Sequence, residues 1–349
     1  MAANDEKEIE KTISEDLVVT KYKMAGEIVN RTLKTLIGLV APDKSIKEIC
    51  ERGDQLLLEE TSKIDLGAHI DGFIAVAAHT VVARADQTAK VSGRAADVIL
   101  ATYWASQAAL RLLKPGTGNY TITETVQKVA NEYKCKPIEG MLSHQLKQSK
   151  IDGEKTIIQN PNEAQRKEHE KCEFALHEVY AIDVLISTGE GVGREKDTKV
   201  SIFKKTDENY QLKLKASRAL ITEVRNKHGN MPFNLRHFDE ETKARMGVVE
   251  CISHKMIEPF QVLYEKPSEI VAQFKYTVLL MPSGINLVTG LPFDASQYES
   301  EHNILDEEMK SLVLSEIPNK SAKHKSKKGG ANKTTTPAAA KEENATPAK

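Results

Sequence analysis

Lys275 stands in the middle of a strand-like run, residues 269–281, in which Phe274, Tyr276, Val278 and Leu280 alternate with Gln273, Lys275 and Thr277. Successive side chains of a strand point to opposite faces, so this pattern sets the ammonium on the face away from the apolar row. An ammonium has three donors and no lone pair, so it cannot ligate a divalent ion and repels one. Asp183 alternates with Ile182 and Val184 in the same way, within a second strand-like run at 177–187.

Other chemistry is thin. His69, His79, His144, His169 and His177 are scattered, with no i, i+4 pair around a glutamate, so the histidines alone do not form a metal motif. Cys50, Cys135, Cys172 and Cys251 lie far apart without a C-x-x-C pair, which disfavours a zinc knuckle or a disulfide framework and fits a reducing compartment. Gly189, Gly191 and Gly193 resemble a phosphate loop only superficially, because a charged strand-like stretch follows them and not a helix N-terminus. One polyanion signal remains. Lys320, Lys323, Lys325, Lys327 and Lys328 cluster with His324 in a stretch free of acid, where mobile ammonium groups can follow phosphates and release counterions. No aromatic platform accompanies them, so base-specific readout is not implied. A solvating tail or a nuclear address is an equally good reading of that composition.

These groups need a framework, and the chain is long enough to supply one: 349 residues, 40% hydrophobic, formal net charge −1. Ser14 before Glu15 and Asp16 predicts a helix start, and Leu17, Met24, Ile28, Leu36 and Val40 continue an apolar stripe. A second helix is predicted at 45–58. The period then changes, and 63–67 with 69–82 read as two strands of a hairpin. Helices follow at 94–113 and 121–134, the latter with Thr121 and Glu124 offering a capping box. Strands at 177–187 and 200–204, helices at 214–227 and 240–254, and the long strand bearing Lys275 complete an α+β pattern. An amphipathic segment at 301–316 reads as a helix packed on its own domain or against a partner. After Pro318 the chain has no Leu, Ile, Val, Phe, Tyr or Trp and cannot bury enough apolar surface to offset its ordering entropy. We therefore expect disordered tails at 1–13 and 319–349 around one domain at 14–318. The charged N-terminus does not read as a signal peptide and no stretch is apolar enough to span a bilayer, so no membrane insertion is expected.

Three stretches, 63–72, 180–189 and 271–280, resemble the metal-ligand strands of type-II methionine aminopeptidases, peptidases of the pita-bread (creatinase/methionine aminopeptidase-like) fold. Longer strings, 16–24, 137–148, 151–160 and 243–251, more closely resemble the proliferation-associated, ErbB-3-binding proteins, non-catalytic relatives of those enzymes. What the resemblance implies about the site is carried residue by residue. Asp65 matches the first metal-binding aspartate, the second falls on Val76, Asp183 occupies a glutamate position, and Lys275 stands where a carboxylate would hold metal. The ligand histidine is replaced by Met141, Leu142 and Ser143, with His144 only approximately in register. If the fold is kept, Lys275 should approach Asp65 and Asp183 and neutralise carboxylates that metal would otherwise hold.

One departure stands out. Family members carry a lysine-rich connector and a strand pair before the strand containing Asp65, whereas here Thr61 runs directly into Ser62, a seam that an alternative transcript or a defective gene assembly could each produce. Loss of that segment should leave a sheet edge open and an apolar face poorly covered.

The resemblance implies no metal cofactor and no peptidase activity. It implies a scaffold for RNA, ribosomal or pre-ribosomal particles and regulatory proteins such as receptor cytoplasmic tails or corepressors, in cytoplasm and nucleus or nucleolus, acting in ribosome biogenesis, translation and growth control. The stretch 309–314 lacks a clean L-x-x-L-L, which weakens a nuclear-receptor-type contact. The alternatives are a nuclear transcriptional corepressor or signalling adaptor, and a metal-dependent aminopeptidase with altered ligands.

Overall fold

The computed structural model describes residues 11–62, 70–86 and 88–317. Among them the helices are α1 (Asp16–Leu39), α2 (Ile46–Ser62), α3 (Gly93–Leu112), α4 (Asn119–Glu132), α5 (Glu163–Glu168), α6 (Lys215–Lys227), α7 (Glu241–Ser253) and α8 (Glu307–Leu314). The first strands are β1 (Ala78–His79), β2 (Val91–Ser92), β3 (Lys136–Pro137), β4 (Leu142–Leu146), β5 (Thr156–Ile158) and β6 (Val179–Ser187). Then come β7 (Arg194–Glu195), β8 (Ile202–Lys205), β9 (Phe233–Asn234), β10 (Ile257–Pro259), β11 (Leu263–Tyr264), β12 (Val271–Met281), β13 (Gly284–Leu287) and β14 (Tyr298–Glu299).

The main sheet runs β1-β12-β6-β4-β5, with β13 also pairing β12 and β3 also pairing β6. Its spine is the antiparallel β6–β12 ladder, nine residue pairs from Val271 opposite Ser187 to Leu279 opposite Val179. The alternation seen in the sequence sorts the two faces. Phe274, Tyr276, Val278 and Leu280 join Tyr180, Ile182, Val184 and Ile186 in the largest core, under α3 and α4. Alanines 101, 105, 108 and 109 are fully buried on α3, and their small side chains let that helix lie close to the sheet. α8 adds Met309 and Val313 to this core, so the C-terminal amphipathic segment packs on its own domain.

The opposite face is covered at one end by α1, whose Val18, Val19 and Tyr22 meet Phe73, Leu146, Val179 and Leu279. Tyr22 and Phe73 pack edge to face with ring centroids 5.2 Å apart. Ile13, which the sequence reading leaves in the N-terminal tail, is buried in this cluster at 2% exposure. A separate core lies between α6, α7 and the small sheet β10-β8-β9. Gly247 lets the two helices touch there, because a Cβ would come 2.8 Å from the Ala216 carbonyl oxygen.

Several local expectations need correction. Ser14 does not cap α1, whose N-cap is Glu15 without a side-chain bond; the Ser14 hydroxyl is held by Thr12 instead. The Thr121/Glu124 capping box does not form either, since α4 starts two residues earlier behind Gly118. A capping box does form at α5, where Asn162 and Gln165 bond reciprocally. The expected hairpin is reduced: 63–67 lie outside the described residues, and of 69–82 only Ala78–His79 forms a ladder, preceded by a tight turn bridging Ile70 and Phe73. The rest of the segment is held by threonine hydroxyls in place of backbone pairs. Thr277 Oγ1 accepts from the Val76 N–H at 2.8 Å and donates to the Val76 carbonyl at 2.9 Å, and Thr80 Oγ1 accepts from the Gln273 N–H at 2.7 Å and donates to its carbonyl at 2.9 Å.

α2 continues to Ser62, directly across the expected seam. It exposes Ile46 and Leu58 at 79% and 54%. No helix among the described residues is long and apolar enough to cross a membrane.

Candidate functional site, a closed carboxylate centre

The β6–β12 register sets Lys275 directly opposite Asp183, and Ala78 flanks Lys275 on the other side. Lys275 Nζ lies 2.9 Å from Asp183 Oδ2, with the aspartate side chain 10% exposed and the lysine 21%. Gln273, two residues before the lysine and on its face, donates from Nε2 to Asp183 Oδ1 at 2.7 Å. Both carboxylate oxygens are thereby engaged. The same odd-numbered alternation that sets Lys275 on this face sets Gln273 there too.

The aspartate backbone is fixed as firmly as its side chain. Ser143 Oγ accepts from the Asp183 N–H at 2.8 Å and donates to its carbonyl at 3.1 Å, while Gln159 Nε2 donates to that carbonyl at 2.8 Å. Side-chain hydroxyl and amide groups thus do for β6 what a longer β4 ladder would otherwise do. Ser143, expected merely to replace a ligand, is a strand clamp.

His144, on β4 opposite Ala181, sits beside this centre. Burial, and then the positive charge of Lys275, hold its pKa below the ordinary imidazole value, and its Nδ1 is buried without a hydrogen-bond partner. Val76 offers backbone atoms alone, bonded to Thr277 and to Thr289 Oγ1, which donates to the Val76 carbonyl at 2.6 Å; its side chain packs against the α1 cluster. The structure therefore unites Asp183 with Lys275 and places Val76 on the neighbouring edge. Asp65 and the five tail lysines, Lys320, Lys323, Lys325, Lys327 and Lys328, lie outside the described residues.

A pair of divalent ions needs several anionic ligands converging on sites about 3.5–4 Å apart. Among the described residues no group of three His, Cys, Asp or Glu side chains converges in that way. The side chains at the corresponding positions do not fit two ions: a valine has no ligand atom, a lysine is a competing cation, and Asp183 already spends both oxygens on protein donors.

No protein-family model matches the chain. Individual relatives do. ErbB-3 binding protein 1 of Arabidopsis thaliana is 40% identical over 378 aligned residues, covering 94% of this chain and 91% of that protein. The curved DNA-binding protein of Schizosaccharomyces pombe is 35% identical over 373 aligned residues, covering 93% and 97%. Both alignments are longer than the 349-residue chain, so these relatives carry residues that it lacks. A solved structure of a thermophilic Arx1 superposes with a TM-score of 0.80 at 26% identity, over 87% of this chain and 100% of the other. With such identity across nearly all of both sequences, the chain belongs to the ErbB-3-binding, proliferation-associated protein family, methionine-aminopeptidase-like proteins built on the pita-bread fold.

Proposed function

We propose that this protein is a non-catalytic aminopeptidase-like scaffold that binds RNA, ribosomal or pre-ribosomal particles and regulatory proteins, in ribosome biogenesis, translation and growth control. The observation that supports the reading is the Lys275–Asp183 pair: the chain supplies its own cation to one carboxylate oxygen, and Gln273 donates to the other. A centre neutralised from within has no need of metal to stay folded and offers none to polarise an amide.

The macromolecular part rests on other support. A relative is named for binding ErbB-3 and another for binding curved DNA, and the tail of this chain carries five lysines without an intervening acid. Such a tail suits phosphate contacts without base readout. Residence in both cytoplasm and nucleus or nucleolus belongs to the same proposal.

Two measurements test it. Elemental analysis with a methionyl-peptide cleavage assay should give no stoichiometric cobalt, manganese or zinc and no release of methionine; bound metal with turnover overturns the non-catalytic reading. Crosslinking with sequencing of the attached nucleic acid should recover ribosomal or pre-ribosomal RNA. Recovery of DNA alone favours the nuclear corepressor reading, and recovery of neither leaves protein adaptor roles.

A further inference from the structure

We propose that His79 is an acid-sensitive latch that holds the edge segment 76–82 closed against β12. The latch is small by construction. The β1–β12 ladder comprises two residue pairs, Ala78 opposite Lys275 and His79 opposite Phe274, and the flanking closure depends on the Thr277 and Thr80 hydroxyls. Whatever governs His79 therefore governs a large share of this edge.

The imidazole faces the α3 side of the sheet, within an aromatic nest. Its ring lies edge-on to Phe274 at 5.0 Å between centroids and tilted to Phe293 at 6.1 Å, and Tyr103 of α3 stacks on Phe293 at 4.2 Å. The ring is only partly buried, and among the described residues no side-chain hydrogen bond or ion pair holds it, so a second ring proton gains no acceptor from the protein. Burial holds its pKa below the ordinary histidine value.

The surrounding groups do not rescue the charged form. The Tyr103 and Tyr298 phenols are raised by burial and stay neutral. Lys275 on β12 is a cation and points to the other face, towards Asp183. The charged residues of α3 are engaged elsewhere: Arg94 with Glu269, Asp97 with Ser300, and Arg111 with Gln107 and the Ser315 carbonyl.

The direction follows from linkage. A folded-state pKa below the unfolded one means that the closed segment binds fewer protons than the open one, so closure is complete above the ordinary histidine value and weakens as pH falls below it. At about pH 5.5, one unit below an unperturbed imidazole near 6.5, the closed-to-open ratio can fall by at most about tenfold. Opening frees the β12 edge from Gln273 to Thr277 and uncovers one flank of the Asp183 centre.

Native-state hydrogen exchange on the full chain reads this directly. Protection factors, corrected for intrinsic rates, should fall between about two- and tenfold from pH 7.5 to 5.5 at the Val76 and Gln273 amides and stay level on β6. In His79→Phe, which keeps an aromatic filler and removes the titration, that pH dependence should vanish. Unchanged protection in the wild type, or an equal loss in His79→Phe, overturns the proposal. Should that variant not fold, NMR titration of the His79 ring in the wild-type protein decides: a pKa clearly below about 6.5 supports the latch, and one at or above it overturns it.

Discussion

Substituting Lys275 by methionine removes the ammonium while keeping most of the side-chain volume, and it isolates what the internal cation contributes. Breaking a fully buried ion pair from one side costs about 3–5 kcal/mol, because the remaining charge is left uncompensated. Here the penalty is smaller. One-fifth of the lysine side chain reaches solvent, and Asp183 keeps the Gln273 amide at 2.7 Å after the lysine is gone. The value expected is about 2 kcal/mol, in the range of a charged hydrogen bond. At about 2.1 cal/mol/K of unfolding entropy per residue over roughly 300 residues, the melting temperature should fall by about 3 °C, and the urea midpoint should fall with an unchanged m-value. Combining the change with Asp183→Asn should be non-additive, the double variant regaining roughly 1–2 kcal/mol relative to the sum. A Lys275→Met protein melting within about 1 °C of wild type, or an additive double variant, would show the ammonium to be solvated and would remove the physical basis of a self-neutralised centre.

Thr277→Val should cost about 1–2 kcal/mol, since it strands the part-buried Val76 N–H, and hydrogen exchange should show the loss concentrated at that amide. Gly26→Ala sets a Cβ 2.2 Å from Val288 Cγ1 and 2.7 Å from the Val288 carbonyl oxygen, so chemical denaturation should report a loss of about 1–3 kcal/mol. In filter binding against single-stranded RNA, the five-lysine tail should give a log–log salt slope of about −3 to −4, at roughly −0.7 per phosphate, and replacing Lys320, Lys323, Lys325, Lys327 and Lys328 by alanine should flatten it. A slope unaltered by those substitutions would move the phosphate contacts elsewhere on the protein.

The parts of the fold legible in the sequence are those in which one strong period runs uninterrupted. β12 alternates from Val271 to Tyr276, which sets Lys275 on the face away from Phe274 and Tyr276, and β6 is an almost wholly buried run in which Asp183 is the single acid. The helices α3, α6 and α7 were located to within a residue or two because their ends coincide with a change of period. Caps were read less well. Ser14 and Thr121 have suitable side chains, but which hydroxyl caps depends on where tertiary packing starts the helix, and Asn162 with Gln165 does the capping without an apolar run to advertise it. The edge 69–82 departs for a different reason: its residues favour strands, yet a ladder needs a partner of matching length, and much of this span is held through the hydroxyls of Thr277 on β12 and of Thr80 on the edge itself. At the site, the alternation places Gln273 on the face of Lys275, while no sequence pattern marks the Ser143 hydroxyl and the Gln159 amide that hold the Asp183 backbone.

The saturation of Asp183 bears on what this lineage can become. Placing a carboxylate at position 275 alone would set two like charges opposite each other, and placing an acid at position 76 alone would press a charge against the apolar cluster of α1. Either change made alone is unfavourable. The two positions are in that sense locked together: the outer surface can accept change one residue at a time, while this part of the interior cannot.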